Sequence, residues 1–167
     1  GTIILNRDDK FFNYLSKKAK LYGVKISTFG VDKKSDICLK KIVKKGNTSK
    51  ISVKINNETI SLTIGDLNIN NVLSTVAVLK ELKIDISKIK NKFKNLESPQ
   101  GRGKKYNINR YKKNFKLIDE SYNANPLSVK NAIKKLKLIK KENFKKYLIL
   151  GDMLELGSKS KKYHEEL

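Results

Sequence analysis

Two adjacent acids, Asp119 and Glu120, are followed by Ser121, Tyr122, Asn123 and Asn125 in the stretch KLIDESYNANPLSVKNAI, between an apolar run and an amphipathic one. A strand that ends in such a link and continues into a helix leaves polar groups at the sheet end where open α/β folds bind ligands. A carboxylate there can accept both hydroxyls of a ribose, and the same residues can equally cap a helix. Upstream, Arg102 lies between Gly101 and Gly103. Two glycines let backbone approach a ligand while the guanidinium clamps a phosphate, or they form a flexible linker. Asn68 and Asn71, at an expected helix start, carry carboxamides able to bond both edges of an adenine-like ring, or to cap that helix. Asn, Arg and acid, in that order, suit adenine, phosphate and ribose.

Other chemistries find little support. His164 sits among Lys161, Lys162, Glu165 and Glu166 and reads as an exposed helical histidine. Cys38, the single cysteine, excludes an intramolecular disulfide and reads as a core residue. No Cys/His metal cluster is present, and the Gly-rich stretch GRGKK lacks the spacing of a triphosphate-binding loop. Lys and Arg total 38 against 16 Asp and Glu, a net charge of +22, which raises the question of nucleic acid. The run GRGKKYNINRYKKNFK mixes cations with Tyr106, Tyr111 and Phe115, as a single-strand-binding surface would, yet its alternation fits an ordinary charged edge strand. The lysines are spread through every element beside many Asn and Ile residues, so nucleic acid is the less favoured partner. No stretch approaches the roughly 20 apolar residues of a membrane helix, and a cytoplasmic location is expected.

The elements that must position these residues follow from periodicity. Thr2 to Leu5 reads as a strand, then a helix carries Phe12, Leu15 and Ala19, and VKISTFG is a second strand ending at Gly30. ISVKI and TISLTI alternate strictly and predict a hairpin through Asn56 and Asn57. Residues 70–82 predict a helix, and Ser87 caps another bearing Ile89, Phe93 and Leu96. SPQGRGKK concentrates Pro and Gly, and no periodic pattern crosses it. It marks a boundary between domains at 1–100 and 101–167. Beyond it come a strand at 115–118, the polar link, a helix capped by Ser128 with Val129, Ala132, Ile133 and Leu136, an apolar strand YLILG, and a helix around His164. The alternation predicts an α/β fold with a parallel sheet. The opening Gly-Thr-Ile-Ile-Leu, without Met, reads as a strand entered in mid-fold, in a piece of a longer protein.

Five segments, GTIILNRDD, GDLNINNVLSTVAVL, SPQGRG, LIDESYNANPLSVKNAI and LILGDMLELGSKSKKYHEEL, resemble the Mur ligases in order and spacing. The likeness covers the whole chain and is strongest after Ser98. The link D-[DE]-S-Y-N-A-N-P followed by L-G-D-M-x-E-L-G resembles the member that adds D-alanyl-D-alanine to UDP-N-acetylmuramoyl-tripeptide. The resemblance implies the rear of a central ATP-binding domain followed by the start of a Rossmann-like C-terminal ligase domain. It also implies an ATP-dependent amide-forming ligase of peptidoglycan synthesis working through an acyl phosphate. It implies that Asn71 and Asn68 contact adenine, Arg102 phosphate and Glu120 ribose. Asp119, Ser121, Tyr122, Asn123, Asn125 and Asp152 would border the substrate cleft, with Gly151 and Met153 beside Asp152.

Mg²⁺ would serve with ATP, its ligands and the phosphate loop lying outside this chain, so the isolated segment is expected to be inactive. The sequence departs from the family at Leu67, where His usually stands, and at Arg7, where a small residue is usual. The competing readings are a sibling ligase adding another amino acid and a basic nucleic-acid-binding α/β module.

Overall fold

Apolar residues occupy every second position of Thr48–Ile55 (β4) and Glu58–Ile64 (β5), and the strands pair antiparallel with Ile51 opposite Leu62 and Val53 opposite Ile60. Asn56, at φ 54°, turns the chain between them in the left-handed region that asparagine tolerates. Ile51, Val53, Leu62 and Ile64 are at most 1% exposed, which places this face of the hairpin at the centre of the core. That face is closed by the helix Ile69–Glu81 (α2), whose Val72, Leu73, Val76 and Ala77 recur at the three- and four-residue spacing of one helical stripe. The structure, a computed structural model, describes residues 1–46, 48–139 and 145–167. It divides into two compact units, Gly1–Glu97 and Ser98–Leu167.

In the first unit five strands lie in chain order, β1 to β5. Thr2–Asn6 (β1) and Lys25–Gly30 (β2) run parallel, connected through the helix Phe12–Leu21 (α1). The next strand, Ile37–Lys45 (β3), was not anticipated; it pairs parallel with β2 only at Phe29–Ile37 and Gly30–Cys38, then antiparallel with β4. This short overlap explains how a parallel pair forms without a crossover helix. The chain leaves β2, makes a loop over residues 31–36, and resumes in the same direction one strand over.

Side chains hold that loop. Asp8 accepts from Val31 N (2.7 Å) and Asp32 N (2.9 Å), while Asp36 Oδ2 accepts from Thr28 N (2.8 Å) and Thr28 Oγ1 (2.7 Å). Arg7, which the sequence left unexplained, lies with its guanidinium 4.9 Å from the Phe12 ring centroid and its Nε 3.4 Å from Asp32 Oδ2, linking loop and helix.

The helix expected from Ser87 begins one cap earlier. Asp85 Oδ1 accepts from Ser87 N, and Ile86–Ile89 (α3) tightens at once into a 3-10 helix, Lys90–Asn95. Phe93 is buried as expected, whereas Leu96 falls beyond the helix and stays half exposed.

The second unit is built from local pieces. Lys104–Arg110 (β6) and Lys113–Asp119 (β7) form an antiparallel hairpin whose two-residue turn holds Tyr111 and Lys112 at φ 53° and 57°. Two positive φ values match the twist of flanking strands. The helix Pro126–Leu138 (α4) follows the polar link, and a 3-10 turn, Gly157–Lys159, leads into Ser160–Glu165 (α5). The strand expected at YLILG does not form: residues 145–150 are irregular and Ile149 is 91% exposed. A strand needs a neighbour to take its backbone groups, and the described ladder of this unit contains β6 and β7 alone. Parallel pairing is thus confined, among the described residues, to the first unit, and the fold as a whole is mixed α/β.

Burial, the largest single influence on Asp36, raises its carboxyl pKa. It is outweighed by the Thr28 hydroxyl and amide, with Lys80 and Arg7 adding to them, so the pKa lies below its ordinary value. A depressed carboxylate adds stability above the unfolded value near pH 4 and loses it as pH falls through the folded value. Screening at this partly exposed position limits the effect. Asp36→Asn is expected to cost about 1 kcal/mol at pH 7, with the gap from the parent chain closing toward pH 2. Thermal unfolding followed across that range measures it, and a gap independent of pH would contradict the assignment.

Candidate functional site

Backbone that has left a ladder must still satisfy its N–H groups, and at the start of the second unit it does so through the link. Gly103 N donates to Asp119 O (2.7 Å), continuing the hairpin ladder. One step further the side chain takes over, and Gly101 N donates to Asp119 Oδ2 (3.1 Å). Asp119 Oδ1 accepts from Ser121 N (3.0 Å) and Ser121 Oγ (2.6 Å), and Tyr122 N donates to Gly101 O (3.1 Å). The Ser121 hydroxyl first, then the Ser121 amide, hold the Asp119 carboxyl below its usual range, with a smaller contribution from the Gly101 amide; burial opposes them.

The turn carrying Arg102 is therefore attached directly to the polar link. The guanidinium carbon lies 4.4 Å from the Tyr122 ring centroid. A cation over a ring face is attracted by the ring quadrupole, and the guanidinium keeps its N–H donors for an acceptor. Gly101 is required here: at φ +72° a Cβ would come within 2.7 Å of Tyr122 Cβ and 2.8 Å of Tyr122 N. A Cβ on Gly103 would stand 3.2 Å from Glu120 Oε1, so the Glu120 carboxylate lies along that glycine. Glu120 also approaches Lys135 of α4 at 3.7 Å, an exposed pair of little energetic weight.

Arg102, Asp119, Glu120, Ser121 and Tyr122 are thus brought together in the second unit. Asn123 is exposed beside them. Asn125 is the N-cap of α4: its Oδ1 accepts from Ser128 N (2.9 Å) and its N donates to Ser128 Oγ (3.0 Å). This reciprocal pair is a capping box, so the cap expected at Ser128 belongs to Asn125, with Ser128 in the third helical position. Asn68 and Asn71 belong to the first unit. Asn68 caps α2, its Oδ1 accepting from Asn70 N (2.9 Å), and Asn71 is exposed in the first turn. Leu67, in the place of the usual His, packs against the core.

Asp152 is exposed, but Met153 is only 2% exposed and turns inward. His164 is not the exposed residue expected. Its Nε2 accepts from Met153 N (2.9 Å) and its Nδ1 lies 2.9 Å from Ser160 O, which fits a neutral ring protonated at Nδ1. Sequence reasoning missed both this latch and the double role of Asp119. The pattern Asp-x-Ser, which offers a carboxylate to an amide two residues on, was the available signal for the latter.

A groove of about 530 Å³ in the first unit, lined by Arg7, Phe12, Lys17, Thr28, Lys34 and Asp36 among others, contains none of the residues expected to bind nucleotide. Among the described residues no group of three or more His, Cys, Asp or Glu gathers to hold a metal ion. No helix among them is long and apolar enough to cross a membrane.

Gly101→Ala is expected to open the Arg102 turn, from a left-handed backbone cost of about 1–2 kcal/mol plus the overlap with Tyr122. Amide shifts of Ser121 and Tyr122 should move while those of Leu73 and Val76 stay; an unmoved Tyr122 amide contradicts the geometry. His164→Ala should strip the acceptor from the Met153 amide at a cost of about 1–3 kcal/mol, read as faster exchange at that amide. Unaltered Met153 protection would refute the latch.

Comparison with known proteins bears on both units. The Mur ligase middle domain family matches residues 1–79. The chain is 33% identical to the UDP-N-acetylmuramoyl-tripeptide–D-alanyl-D-alanine ligase of Buchnera aphidicola subsp. Baizongia pistaciae, over 99% of this chain and 35% of the relative. It is 32% identical to the ligase of the same name from Rickettsia prowazekii, over 98% of this chain and 36% of the relative. It thus spans about a third of the length of the curated relatives it matches. Among solved structures, MurF from Acinetobacter baumannii matches 99% of this chain and 35% of its own at TM-score 0.80 and 22% identity, a likeness of fold. MurF ligase from Thermotoga maritima in complex with ADP matches 99% of this chain and 36% of its own at TM-score 0.71 and 25% identity. Residues 1–79 thus match the Mur ligase middle domain, and over nearly its whole length the chain is similar in sequence and fold to ligases of that kind.

Proposed function

We propose that this chain is a segment of a cytoplasmic ATP-dependent ligase that joins D-alanyl-D-alanine to UDP-N-acetylmuramoyl-tripeptide. Its two units would be the rear of the ATP-binding domain and the front of the C-terminal domain. The observation that carries the reading is the join between the Arg102 turn and the link DESYNANP, which presents a guanidinium and a carboxylate from one tied frame. The relatives named for this reaction support the choice of acceptor, and the ADP complex of a fold relative supports a nucleotide.

In this reading the terminal carboxylate of the tripeptide attacks the γ-phosphorus of ATP, ADP leaves, and an acyl phosphate forms. The amine of D-alanyl-D-alanine then adds to the acyl carbon, and phosphate departs from the tetrahedral intermediate to leave the amide. ATP supplies the leaving group. The part of this chain is positioning and charge compensation. Arg102 would neutralise phosphate oxygens through its N–H edge, Glu120 would accept the ribose hydroxyls, and the carboxamides of Asn68 and Asn71 would bond adenine. Tyr122 and Asn123 would form part of the wall beside the nucleotide, with Asp152 at the same cleft. Mg²⁺ as the companion of ATP belongs to the proposal, and no step is assigned to it on these residues.

In the full-length ligase, ATP cleavage should require both UDP-N-acetylmuramoyl-tripeptide and D-alanyl-D-alanine; cleavage supported by another amino acid instead identifies a sibling enzyme. Arg102→Ala and Glu120→Ala should each raise KM for ATP about tenfold, the equivalent of roughly 1.4 kcal/mol. Unchanged kinetics in both variants would remove these residues from the site.

A further inference from the structure

We propose that Asp119 is a positioning residue, whose carboxylate locks the Arg102 turn to the Glu120–Tyr122 link so that guanidinium and ribose acid keep one fixed relation. The inference rests on the nucleotide reading above and deepens it. Both oxygens of the half-exposed Asp119 carboxylate are engaged by protein groups. Oδ2 takes the Gly101 amide from a segment 18 residues away, and Oδ1 takes the amide and hydroxyl of Ser121. Its backbone oxygen takes the Gly103 amide. The amides on either side of Arg102 are therefore both held by this one residue, while Tyr122, whose ring lies under the guanidinium, donates back to Gly101 O.

Only a side chain with two acceptor oxygens at this reach can serve both segments. Asparagine has one acceptor oxygen, and its NH₂ would meet either the Ser121 groups or the Gly101 amide as donor against donor. With two donors on Oδ1 and one on Oδ2, the amide of Asp119→Asn is expected to keep its oxygen toward Ser121 and release Gly101. The variant therefore opens the Arg102 side selectively.

The sign of the effect separates positioning from charge. Removing a negative charge near an arginine that binds phosphate should, by Coulomb's law alone, tighten an anionic ligand. Loss of positioning weakens it. A nucleoside without phosphate should be indifferent to where Arg102 sits, whereas general loosening of the unit would affect both ligands.

The test uses the full-length ligase that carries this chain, wild type and Asp119→Asn, with amide exchange read by NMR and with ADP and adenosine as titrants. In the variant the Gly101 amide should exchange at least tenfold faster while unit 1 amides keep their rates, and ADP should bind at least fivefold more weakly with adenosine unchanged. An unchanged Gly101 amide overturns the clasp. ADP binding that is unchanged or tighter, or an equal loss for ADP and adenosine, overturns the positioning role. If the wild-type full-length ligase shows no shift at Arg102 or Glu120 with ADP, the nucleotide reading itself fails and the positioning role with it. That outcome is visible before any variant is compared, and the Gly101 exchange rate still reports the clasp separately.

Discussion

The Asp119 carboxylate satisfies amides from two segments just beyond the end of the β6–β7 ladder, and the geometry around Arg102 follows from that one act of satisfaction. A buried or half-buried N–H without an acceptor costs about 1–3 kcal/mol, more than a typical made bond contributes. A chain that turns sharply at the end of a strand must therefore find an acceptor close by. The same solution recurs in the first unit. Asp8 meets the two amides where β2 gives way to the 31–36 loop, Asp36 meets Thr28, and Asp85 caps α3. Aspartate suits the task because its short stem brings two oxygens to the backbone with little side-chain entropy to lose.

This use of aspartate bears on the charge. With 16 acids against 38 bases, acids engaged by backbone are acids not available to pair with lysine. The ion pairs that do form are mostly exposed, such as Lys161–Glu165 and Lys162–Glu166 along α5, and pairs of that kind contribute little. The cations are accordingly spread over both units, and the β6–β7 hairpin, with Lys104 near Tyr106 and Arg110 near Tyr111, is one cationic surface among several. A diffuse field of this kind raises the affinity for polyanions in general without selecting one. For that reason the charge never identified the function, and the particular geometry around Arg102 carries more weight.

What could be read from the residues alone was whatever repeats with a period. The β4–β5 hairpin and α2 were legible because Ile51, Val53, Leu62, Leu73 and Val76 fall on single faces. β3 was not, since ICLKKIVKK is apolar at its start and charged after it, and only Ile37 and Cys38 are buried at the overlap with β2. The reverse error fell on YLILG, where an apolar run implied a strand that finds no neighbour to pair with among the described residues. Caps were read one residue class too narrowly: serine was chosen at Ser87 and Ser128, while Asp85 and Asn125 do the capping and the serines donate to them. In the expected site, the grouping of Arg102 with Glu120 and Tyr122 was legible as a list. The bond that groups them was not, because Gly101 and Asp119 lie 18 residues apart and nothing periodic joins them.

The two units also hold themselves together by different physics. In the first, a stripe of α2 covers the inner face of the sheet and the residues there are almost fully enclosed, so long-range apolar burial fixes the arrangement. In the second, α4 has no fully buried residue, and its order comes from a capping box, a two-residue turn, the His164 latch and the Asp119 clasp. Each such polar bond contributes only about 1 kcal/mol, but each also fixes a direction, which apolar contact does not. A side chain that meets a phosphate, the role proposed for Arg102, needs direction more than it needs depth. Arg102 therefore sits on a turn whose two flanking amides are both spoken for, and its orientation is set within the turn and the link, by hydrogen bonds that do not depend on the enclosed core of the other unit.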